Sequence, residues 1–593
     1  MLNPNSAIER VKNHLAYKLG QTVIEHRHNG GGYLHLIKRL YKIKKQHKKE
    51  QKIYQQTIQV FPQLKYPSLE TCLDYSEALR YKFHLSYILG EVLIKAYQNW
   101  YKGAGFKLKN NIKKANKEFQ IFREIFKEWD QINSNILEGL IDNKQLFLKE
   151  FPRIKNILKI HQDYKAILDN IFHNFNYFIK NFDLIEEWLL SDEFKEKYKK
   201  ENHPYPSLLD PKKLNDENEK INYHNIPAEL AWEMNLPLPE NYEFIFLTSH
   251  CTGHYSFQSY LNKIFKIQTI ANAHYNFKFY YQYLFHNKDP FISIAEFDPF
   301  YNKFASLISK KCNFIILNRD PISALKSALN FRMSNSKISN QIYNSNDMLN
   351  FCKSSIYYPF HPNNQLNIDN LKDYVDLSVF KDHLFVQHTL IQPLQDKILK
   401  SFYIDTKNIE INNIESTLTS LAYSFNFPNF DINEFKSQAY NLVAYLFPFY
   451  YFYKNIKITI KQKNYLHDYT DYKSLEDISE IFLKLNIPLL ENIQILINPK
   501  DYQKLKHNEQ FNIFFNEITN ILLIIDKHFK KEDKNQIKEY EILNYLKTNF
   551  STRIKIKNIL KSHLLHIKQH RPDIVASWKY YQEFEKMCKE LDG

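Results

Sequence analysis

Glycine is scarce in this sequence, with 10 glycines among 593 residues. Globular proteins average about 7% glycine, so collagen-like and glycine-rich architectures are excluded. Because the chain avoids this residue, each glycine that remains is expected to serve a turn or a close backbone approach. Between Gly139 and Gly593 the sequence contains one glycine, Gly253, which therefore becomes a candidate for a special backbone conformation.

Cysteine and long apolar segments are scarce as well. The five cysteines are scattered and form no Cys-x-x-Cys pair, which argues against a disulfide framework or a structural zinc site and favours a reducing compartment. No apolar run approaches the ~18–20 residues of a membrane span. The first twenty residues contain no signal-peptide core, and we expect a cytoplasmic protein.

Positive charge is in excess, since 80 Lys and Arg residues face 65 Asp and Glu residues, for a net charge of +15. This surplus predicts attraction to anions, whether nucleic acid, phosphate-bearing substrates, acidic lipid or acidic polysaccharide, and does not choose among them. No recognised nucleic-acid-binding motif accompanies it, and we predict no nucleic-acid partner. A 44% hydrophobic and 16% aromatic composition indicates a globular protein, and the length suggests about three domains.

Residues 1–200 show apolar residues at helical spacing and contain an internal repeat. HLAYKLGQTVI at 14–24 recurs as HLSYILGEVLI at 84–94. Two copies are too few for a solenoid, and a pair of helical hairpins is the simplest interpretation. A packing or oligomerisation module is favoured, with a surface for acidic lipid or polyanions as the alternative. Clustered prolines and polar residues predict a linker over 201–240.

Residues 241–430 alternate short apolar runs with helical patterns, which is typical of βαβ units and a parallel sheet. The predicted strands are 243–248, 291–296, 313–318 and 398–404, and the predicted helices are 256–265, 299–310, 321–331 and 415–425. Residues 431–593 are predicted to be mixed and mostly helical. They contain no motif, so a scaffold or acceptor-positioning role is the default.

The first candidate site follows the first predicted strand. A helix N-terminus presents free N–H groups, and a glycine there lets an anion approach the backbone. The alternative is that Gly253 serves only a tight turn. The residues assigned to this anion-binding loop are Thr248, Ser249, His250, Cys251, Thr252, Gly253, His254, Tyr255 and Ser256.

The second candidate site begins at Arg319, directly after the predicted strand 313–318. Open α/β sheets bind ligands at this carboxyl edge. Ser327 lies about two helical turns further on, so both side chains can grip one phosphate, with the guanidinium as a bidentate donor. The alternative is that Asp320 caps the helix while Arg319 forms a surface salt bridge.

Together and in this order, the two motifs resemble the nucleotide-binding core of the sulfotransferases. The resemblance implies a P-loop-like, three-layer α/β/α core over roughly 240–430, flanked by a large helical N-terminal region and a mostly helical C-terminal one. It implies that the first loop holds the 5′-phosphosulfate of the donor and that Arg319 and Ser327 hold its 3′-phosphate. A catalytic base is implied at the end of the intervening strand, which makes Glu296 the matched candidate, with Asp298 close behind.

Two further features bear on this resemblance. Tyr403-Ile404-Asp405 is similar to a later strand end of the sulfotransferases. The lysine expected two residues before the loop glycine is replaced by Cys251, and only the flanking histidines His250 and His254 can supply a donor there. Transfer of a sulfuryl group from the usual donor is therefore in question.

The repeated N-terminal phrase HLAYKLGQ resembles repeats of capsule and lipooligosaccharide transferases from enteric Gram-negative bacteria. Among these, the chain is most similar to the capsular O-methyl phosphoramidate transferases. The resemblance implies transfer of that group from a 3′-phosphorylated cytidine diphosphate donor to a sugar hydroxyl of capsular polysaccharide. It implies no tightly bound cofactor and no metal. The donor and the polysaccharide are the expected partners, and the basic charge also allows the anionic inner face of the inner membrane.

In the mechanism that follows from this resemblance, Glu296 takes the proton of the sugar hydroxyl, with His254 and His274 in reserve. Loop N–H groups and hydroxyls stabilise charge on the transferred group and on the leaving phosphate. Nothing in the sequence around His383 or His388 suggests a role.

Three other functions stay open. A carbohydrate sulfotransferase would use the same clamp. A capsule glycosyltransferase is weakened because the sequence has no Asp-x-Asp motif. A basic scaffold that binds membrane or polysaccharide is the non-enzyme alternative. A P-loop kinase would need GxxxxGK[ST], which is absent.

Overall fold

The computed structural model describes residues 3–30, 32–99, 107–128, 133–267, 276–335, 337–378, 380–410, 412–431, 445–463, 472–506 and 509–592. The chain forms two compact units, Met1–Pro237 and Leu238–Gly593. The predicted linker 201–240 lies mostly inside the first unit, because it buries apolar side chains such as Leu208, Trp232 and Met234. The predicted regions 241–430 and 431–593 lie together in the second unit.

The first unit is helical, which confirms the prediction for the N-terminal region. Its α-helices are Ala7–Lys12, Leu15–Asn29, Tyr33–Val60, Tyr75–Arg80, Leu85–Gln98, Leu108–Glu128, Ser134–Asp142, Lys144–Ile160, Lys165–His173, Phe175–Lys180, Phe182–Leu190, Asp192–Phe194, Pro211–Leu214 and Ala228–Glu233.

The two copies of the internal repeat pack against each other through their glycines. A Cβ atom added to Gly20 would lie 1.7 Å from the carbonyl oxygen of Ser86, and one added to Gly90 would lie 1.7 Å from that of Ala16. Ser86 and Ala16 occupy equivalent positions of the repeat, so the glycine of each copy contacts the same position of the other copy. Repetition of the phrase thus produces a close, nearly symmetric crossing of two helices.

Gly20→Ala is expected to lower the free energy of unfolding by about 3 kcal/mol or more, since the helices must separate to admit the methyl group. The higher helix propensity of alanine offsets only about 1 kcal/mol of this loss. Gly32→Ala is the matched control, because a Cβ atom there has nothing within 4 Å, and it should change stability by less than about 0.5 kcal/mol. Urea unfolding followed by circular dichroism measures both, and equal midpoints for the two variants would contradict the close crossing.

The second unit contains eleven strands among its described residues. They are β1 (Phe244–Leu247), β2 (Phe291–Ile294), β3 (Cys312–Asn318), β4 (Met333–Ser334), β5 (Gln341–Ile342), β6 (Ile356–Tyr357), β7 (Ile398–Asp405), β8 (Phe449–Tyr453), β9 (Ile456–Gln462), β10 (Glu476–Asp477) and β11 (Ile493–Ile497).

The four predicted strands form one parallel sheet in the order β2-β1-β3-β7. β1 and β2 are buried along their whole length, as expected for a parallel sheet covered on its faces. Helices His254–Phe265 and Ile414–Phe425 pack on it through one apolar cluster that includes Phe246, Phe257 and Leu418. The prediction of mixed α/β structure around a parallel sheet is thereby confirmed.

Three of the four predicted helices agree with observed ones to within a few residues, and the fourth, 299–310, shortens to Tyr301–Ser306. Asp298 turns the chain there by accepting from the N–H of Phe300 at 2.7 Å. The α-helices are His254–Phe265, Phe277–His286, Tyr301–Ser306, Pro321–Leu329, Met348–Ser355, Leu371–Asp376, Gln387–Ile391, Ile414–Phe425, Pro499–Lys506, Phe511–Lys534, Glu539–Thr548, Phe550–His563, Leu565–His570, Pro572–Ser577 and Lys579–Asp592.

A second sheet, of order β10-β11-β9-β8-β5, was not predicted. It is antiparallel apart from the β5–β8 pair and packs on helix Phe511–Lys534 through a separate apolar cluster. β5 comes from residues 341–342, so this sheet joins the predicted transferase region to the C-terminal region. Across the described residues of both units, no helix is both long enough and apolar enough to span a bilayer.

Candidate functional site

The predicted site residues that the structure describes gather at the carboxyl edge of the parallel sheet. The loop of 248–253 follows β1, Glu296 follows β2, Arg319 follows β3 and Thr406 follows β7. Because the four strands are parallel, their carboxyl ends share one edge, where open α/β sheets bind ligands.

The loop after β1 is wound tightly on itself. The hydroxyls of Thr248 and Thr252 lie 2.6 Å apart, and that of Thr252 donates to the carbonyl of Ser249 at 2.6 Å. Gly253 has φ +93°, and a Cβ atom there would lie 2.7 Å from Cδ1 of Ile409. The turn therefore requires glycine for its backbone conformation and for its packing, whatever the loop binds.

Helix His254–Phe265 begins directly at this glycine. The ring of His254 is buried and stacks on Phe246 with centroids 5.7 Å apart. Tyr255 is exposed and Ser256 is half-buried. The helix N-terminus thus faces the same edge as the loop, as predicted, with a histidine packed into the core at its first position.

Arg319 and Ser327 meet, as their spacing predicts. Nη1 of Arg319 donates to Oγ of Ser327 at 2.9 Å and to the carbonyl of Cys251 at 2.7 Å. The arginine therefore links the helix after β3 to the loop after β1. Asp320 caps the helix by accepting from the N–H of Ile322 at 2.9 Å, so the cap expected under the alternative interpretation is also present.

The guanidinium of Arg319 makes no ion pair with the residues that the structure describes, and its Nε and Nη2 make no hydrogen bond to them. The surface salt bridge of the alternative interpretation is absent from this part of the chain. Burial lowers the pKa of Arg319 from its ordinary value. A half-buried guanidinium at a sheet edge, whose Nε and Nη2 are not bonded to the described residues, has the donors that a bidentate contact with an anion requires.

The C-terminal helices complete this edge, which the sequence did not reveal. The N–H groups of Tyr580 and Tyr581 donate to Asp320 at 3.0 and 3.2 Å. Glu539 pairs with Lys326 at 2.8 Å. The region predicted only as a scaffold therefore contacts the residues next to Arg319.

The segment Tyr403-Ile404-Asp405 ends β7 at the same edge. Asp405 accepts from the N–H of Lys407 at 2.9 Å and from the indole of Trp578. Tyr403 contacts the ring of His566. These contacts make the segment a structural anchor for the C-terminal helices.

Thr406, the next residue, was missed by the sequence analysis. Its hydroxyl lies 2.6 Å from the carbonyl oxygen of Thr252 and 2.8 Å from that of Asn318. It therefore joins the ends of three strands, since these residues follow β1, end β3 and follow β7.

Glu296 lies between two histidines. Its Oε2 is 3.2 Å from Nε2 of His250 and 2.9 Å from Nδ1 of His383, and its side chain is 2% exposed. The histidine side chains are 30% and 24% exposed. His383, for which the sequence offered no role, thus belongs to the site, while Glu296 is less accessible than a base acting directly on a substrate would be.

The charge state of Glu296 reflects this cluster. Burial acts to raise its pKa, but the two histidines outweigh burial and hold the pKa below its ordinary value. The carboxylate is therefore charged at neutral pH.

The remaining predicted candidates differ in their surroundings. Asp298 accepts from the N–H groups of Phe277 at 3.0 Å and Phe300 at 2.7 Å, and burial raises its pKa. Both of its oxygens thus hold the local backbone. His274 lies outside the described residues.

Two family models match parts of the chain. Residues 403–591 match DUF2972, a protein of unknown function, and residues 2–121 match DUF8374, a domain of unknown function. No curated protein and no solved structure matches the chain. The first match covers the C-terminal helices that contact the Arg319 edge, and the second covers both copies of the N-terminal repeat.

Proposed function

We propose that this protein transfers an O-methyl phosphoramidate group from a 3′-phosphorylated cytidine diphosphate donor to a sugar hydroxyl of capsular polysaccharide, on a sulfotransferase-like core. The observation that carries the proposal is the half-buried guanidinium of Arg319, which is bonded to Ser327 and the β1 loop and whose Nε and Nη2 have no partner among the described residues.

The donor would bind across the carboxyl edge of the sheet. Nε and Nη2 of Arg319, with the hydroxyl of Ser327, would hold the 3′-phosphate. The N-terminus of helix His254–Phe265 would face the diphosphate, since its first N–H groups and its dipole favour negative charge. Two phosphate sites on adjacent loops suit a nucleotide phosphorylated at both the 3′ and 5′ positions.

The acceptor hydroxyl would be activated by the cluster of His250, Glu296 and His383. Glu296 is buried, so a partly exposed histidine would take the proton while the carboxylate orients the ring and stabilises its charged form. The hydroxyl oxygen would then attack phosphorus, and the bond from phosphorus to the leaving nucleotide phosphate would break. This assigns Glu296 to positioning and the histidines to proton transfer.

Carbohydrate sulfotransfer is the second candidate, because the same 3′-phosphate clamp would serve a sulfuryl donor. Cys251 weighs against it. This residue occupies the place of the lysine that would stabilise the bridging oxygen, and burial raises the pKa of its thiol to about 11. A neutral thiol supplies no positive charge there.

A calorimetric titration with cytidine 3′,5′-bisphosphate and adenosine 3′,5′-bisphosphate tests the proposal. We expect the cytidine ligand to bind at least about tenfold more tightly, a difference of about 1.4 kcal/mol. A preference for the adenosine ligand would support sulfotransfer. Failure of both ligands to bind would overturn the clamp and favour a glycosyltransferase or a scaffold.

A further inference from the structure

We propose that His250, Glu296 and His383 together bind one divalent transition-metal ion, with Zn²⁺ preferred. Nε2 of His250, Oε2 of Glu296 and Nδ1 of His383 supply the ligand atoms, which all lie within 4.8 Å of one another. Two imidazoles and one carboxylate form a ligand set suited to zinc.

Two of the three contacts inside the cluster have the distances of a chelate, and all three ligand atoms lie within 4.8 Å of one another. Among the residues that the structure describes, neither oxygen of Glu296 has a hydrogen-bond partner with suitable geometry, although both oxygens are buried. The two ring nitrogens nevertheless lie 3.2 and 2.9 Å from Oε2. Around an ion with bonds of about 2.1 Å and angles of 90–109°, neighbouring ligand atoms lie about 3.0–3.4 Å apart. An ion would therefore satisfy a buried carboxylate for which the described part of the chain supplies no directed partner.

The backbone holds the three ligand-bearing segments together. The N–H of His250 donates to the carbonyl of His383 at 2.9 Å, and the N–H of Phe297 donates to the carbonyl of Asp382 at 2.9 Å. The loop after β1 and the chain after β2 are thus both bonded to residues 382–383. The two rings are 30% and 24% exposed, so they are less tightly packed than the carboxylate they face.

The partial exposure of His250 and His383 means that solvent reaches the cluster from the side of their rings. Zinc sites with three protein ligands keep an open position for water or a substrate oxygen. Resting on the proposed function, that position would take the sugar hydroxyl and lower its pKa, and its proton would pass to solvent water at the exposed side of the cluster instead of to a histidine. Metal binding by the three side chains does not depend on that function.

Metal binding is measured on the full chain after removal of metal with a chelator. Calorimetric titration with Zn²⁺, checked by elemental analysis, is expected to show one ion per chain. Co²⁺ is expected to give a visible absorption band of a four- or five-coordinate site. Glu296→Gln and His383→Ala should each weaken Zn²⁺ binding by about 100-fold or more, because loss of even a group behind the ligands costs 10–100-fold.

His286→Ala is the matched control, since this histidine is exposed at the end of helix Phe277–His286 and lies outside the cluster. It should bind Zn²⁺ as the natural chain does. Thermal unfolding without metal shows whether each variant is folded. If His383→Ala does not fold, Glu296→Gln still tests the site, because glutamine has the same shape as the native side chain.

Absence of a stoichiometric ion, or equal affinity in Glu296→Gln and the natural chain, would overturn the metal site. Nucleotide binding measured on the metal-free protein separates the two proposals. Nucleotide binding without metal binding overturns the metal site alone, and metal binding without nucleotide binding overturns the 3′-phosphate clamp alone.

Discussion

Arg319→Ala is expected to weaken binding of cytidine 3′,5′-bisphosphate by about 30–150-fold. The expectation rests on the loss of about 2–3 kcal/mol from hydrogen bonds between a charged donor and a phosphate. The guanidinium already points its Nη1 at Ser327 and Cys251, so it is held in place before the ligand arrives. Calorimetric titration of the natural chain and the variant measures the effect.

Two companion variants make this result specific. Arg571→Ala removes a half-exposed arginine that pairs with Asp573, and it should leave nucleotide affinity unchanged. Arg319→Lys keeps the charge but loses the planar fork, so its affinity should fall between those of the natural chain and the alanine variant. If Arg319→Ala folds normally and binds the nucleotide as well as the natural chain does, the clamp is wrong.

Glu296→Gln is expected to reduce phosphoramidate transfer by about 10²–10⁴-fold, because the histidine that takes the proton loses the carboxylate that orients it and stabilises its charged form. The amide can neither stabilise a charged histidine nor keep the buried negative charge. Nucleotide affinity should stay unchanged, because Arg319 and Ser327 are contributed by β3 and its following helix. Single-turnover transfer and equilibrium binding measure the two quantities separately.

Glu243→Gln is the control, because this exposed residue lies just before β1, at the amino end of the sheet. It should keep full activity. Equal transfer rates for Glu296→Gln and the natural chain would remove the cluster from the mechanism.

Glu296→Gln is also expected to change how the free energy of unfolding depends on pH. The pKa of Glu296 is lowered in the folded protein, so its stabilising contribution is complete above the unfolded value and disappears as the pH falls through the folded value. The stability difference between the natural chain and Glu296→Gln should therefore shrink between about pH 5 and pH 3. Urea unfolding at several pH values measures it.

Local patterns were sufficient to locate the parallel sheet. β1, β2 and β3 are short runs rich in Phe, Ile and Leu, and a strand covered on both faces can be apolar throughout. The contact between Arg319 and Ser327 could also be predicted. Arg319 follows the end of a strand, and Ser327 lies about two turns along the next helix, so the two side chains come to the same side. Gly253 was recognisable because the chain has so few glycines.

The cluster around Glu296 could not be predicted in full. His383 follows Glu296 by 87 positions, and it reaches the carboxylate only because residues 382–383 bond to the loops after β1 and β2. The contacts of Asp320 with Tyr580 and Tyr581 span more than 250 residues. No local spacing encodes such pairs, because they depend on how separate elements pack.

By itself, then, the sequence determined the helical N-terminal region with its internal repeat, the four parallel strands and the loop and arginine at their carboxyl ends. These features follow from periodicity, turn chemistry and short-range spacing, which act over a few residues. Only the tertiary structure decided that the C-terminal helices pack beside Arg319, that a second sheet joins the two predicted regions, and that Glu296 lies buried between two histidines. Those arrangements arise from burial of apolar surface and from backbone hydrogen bonds between distant segments, which a single strand or helix does not specify.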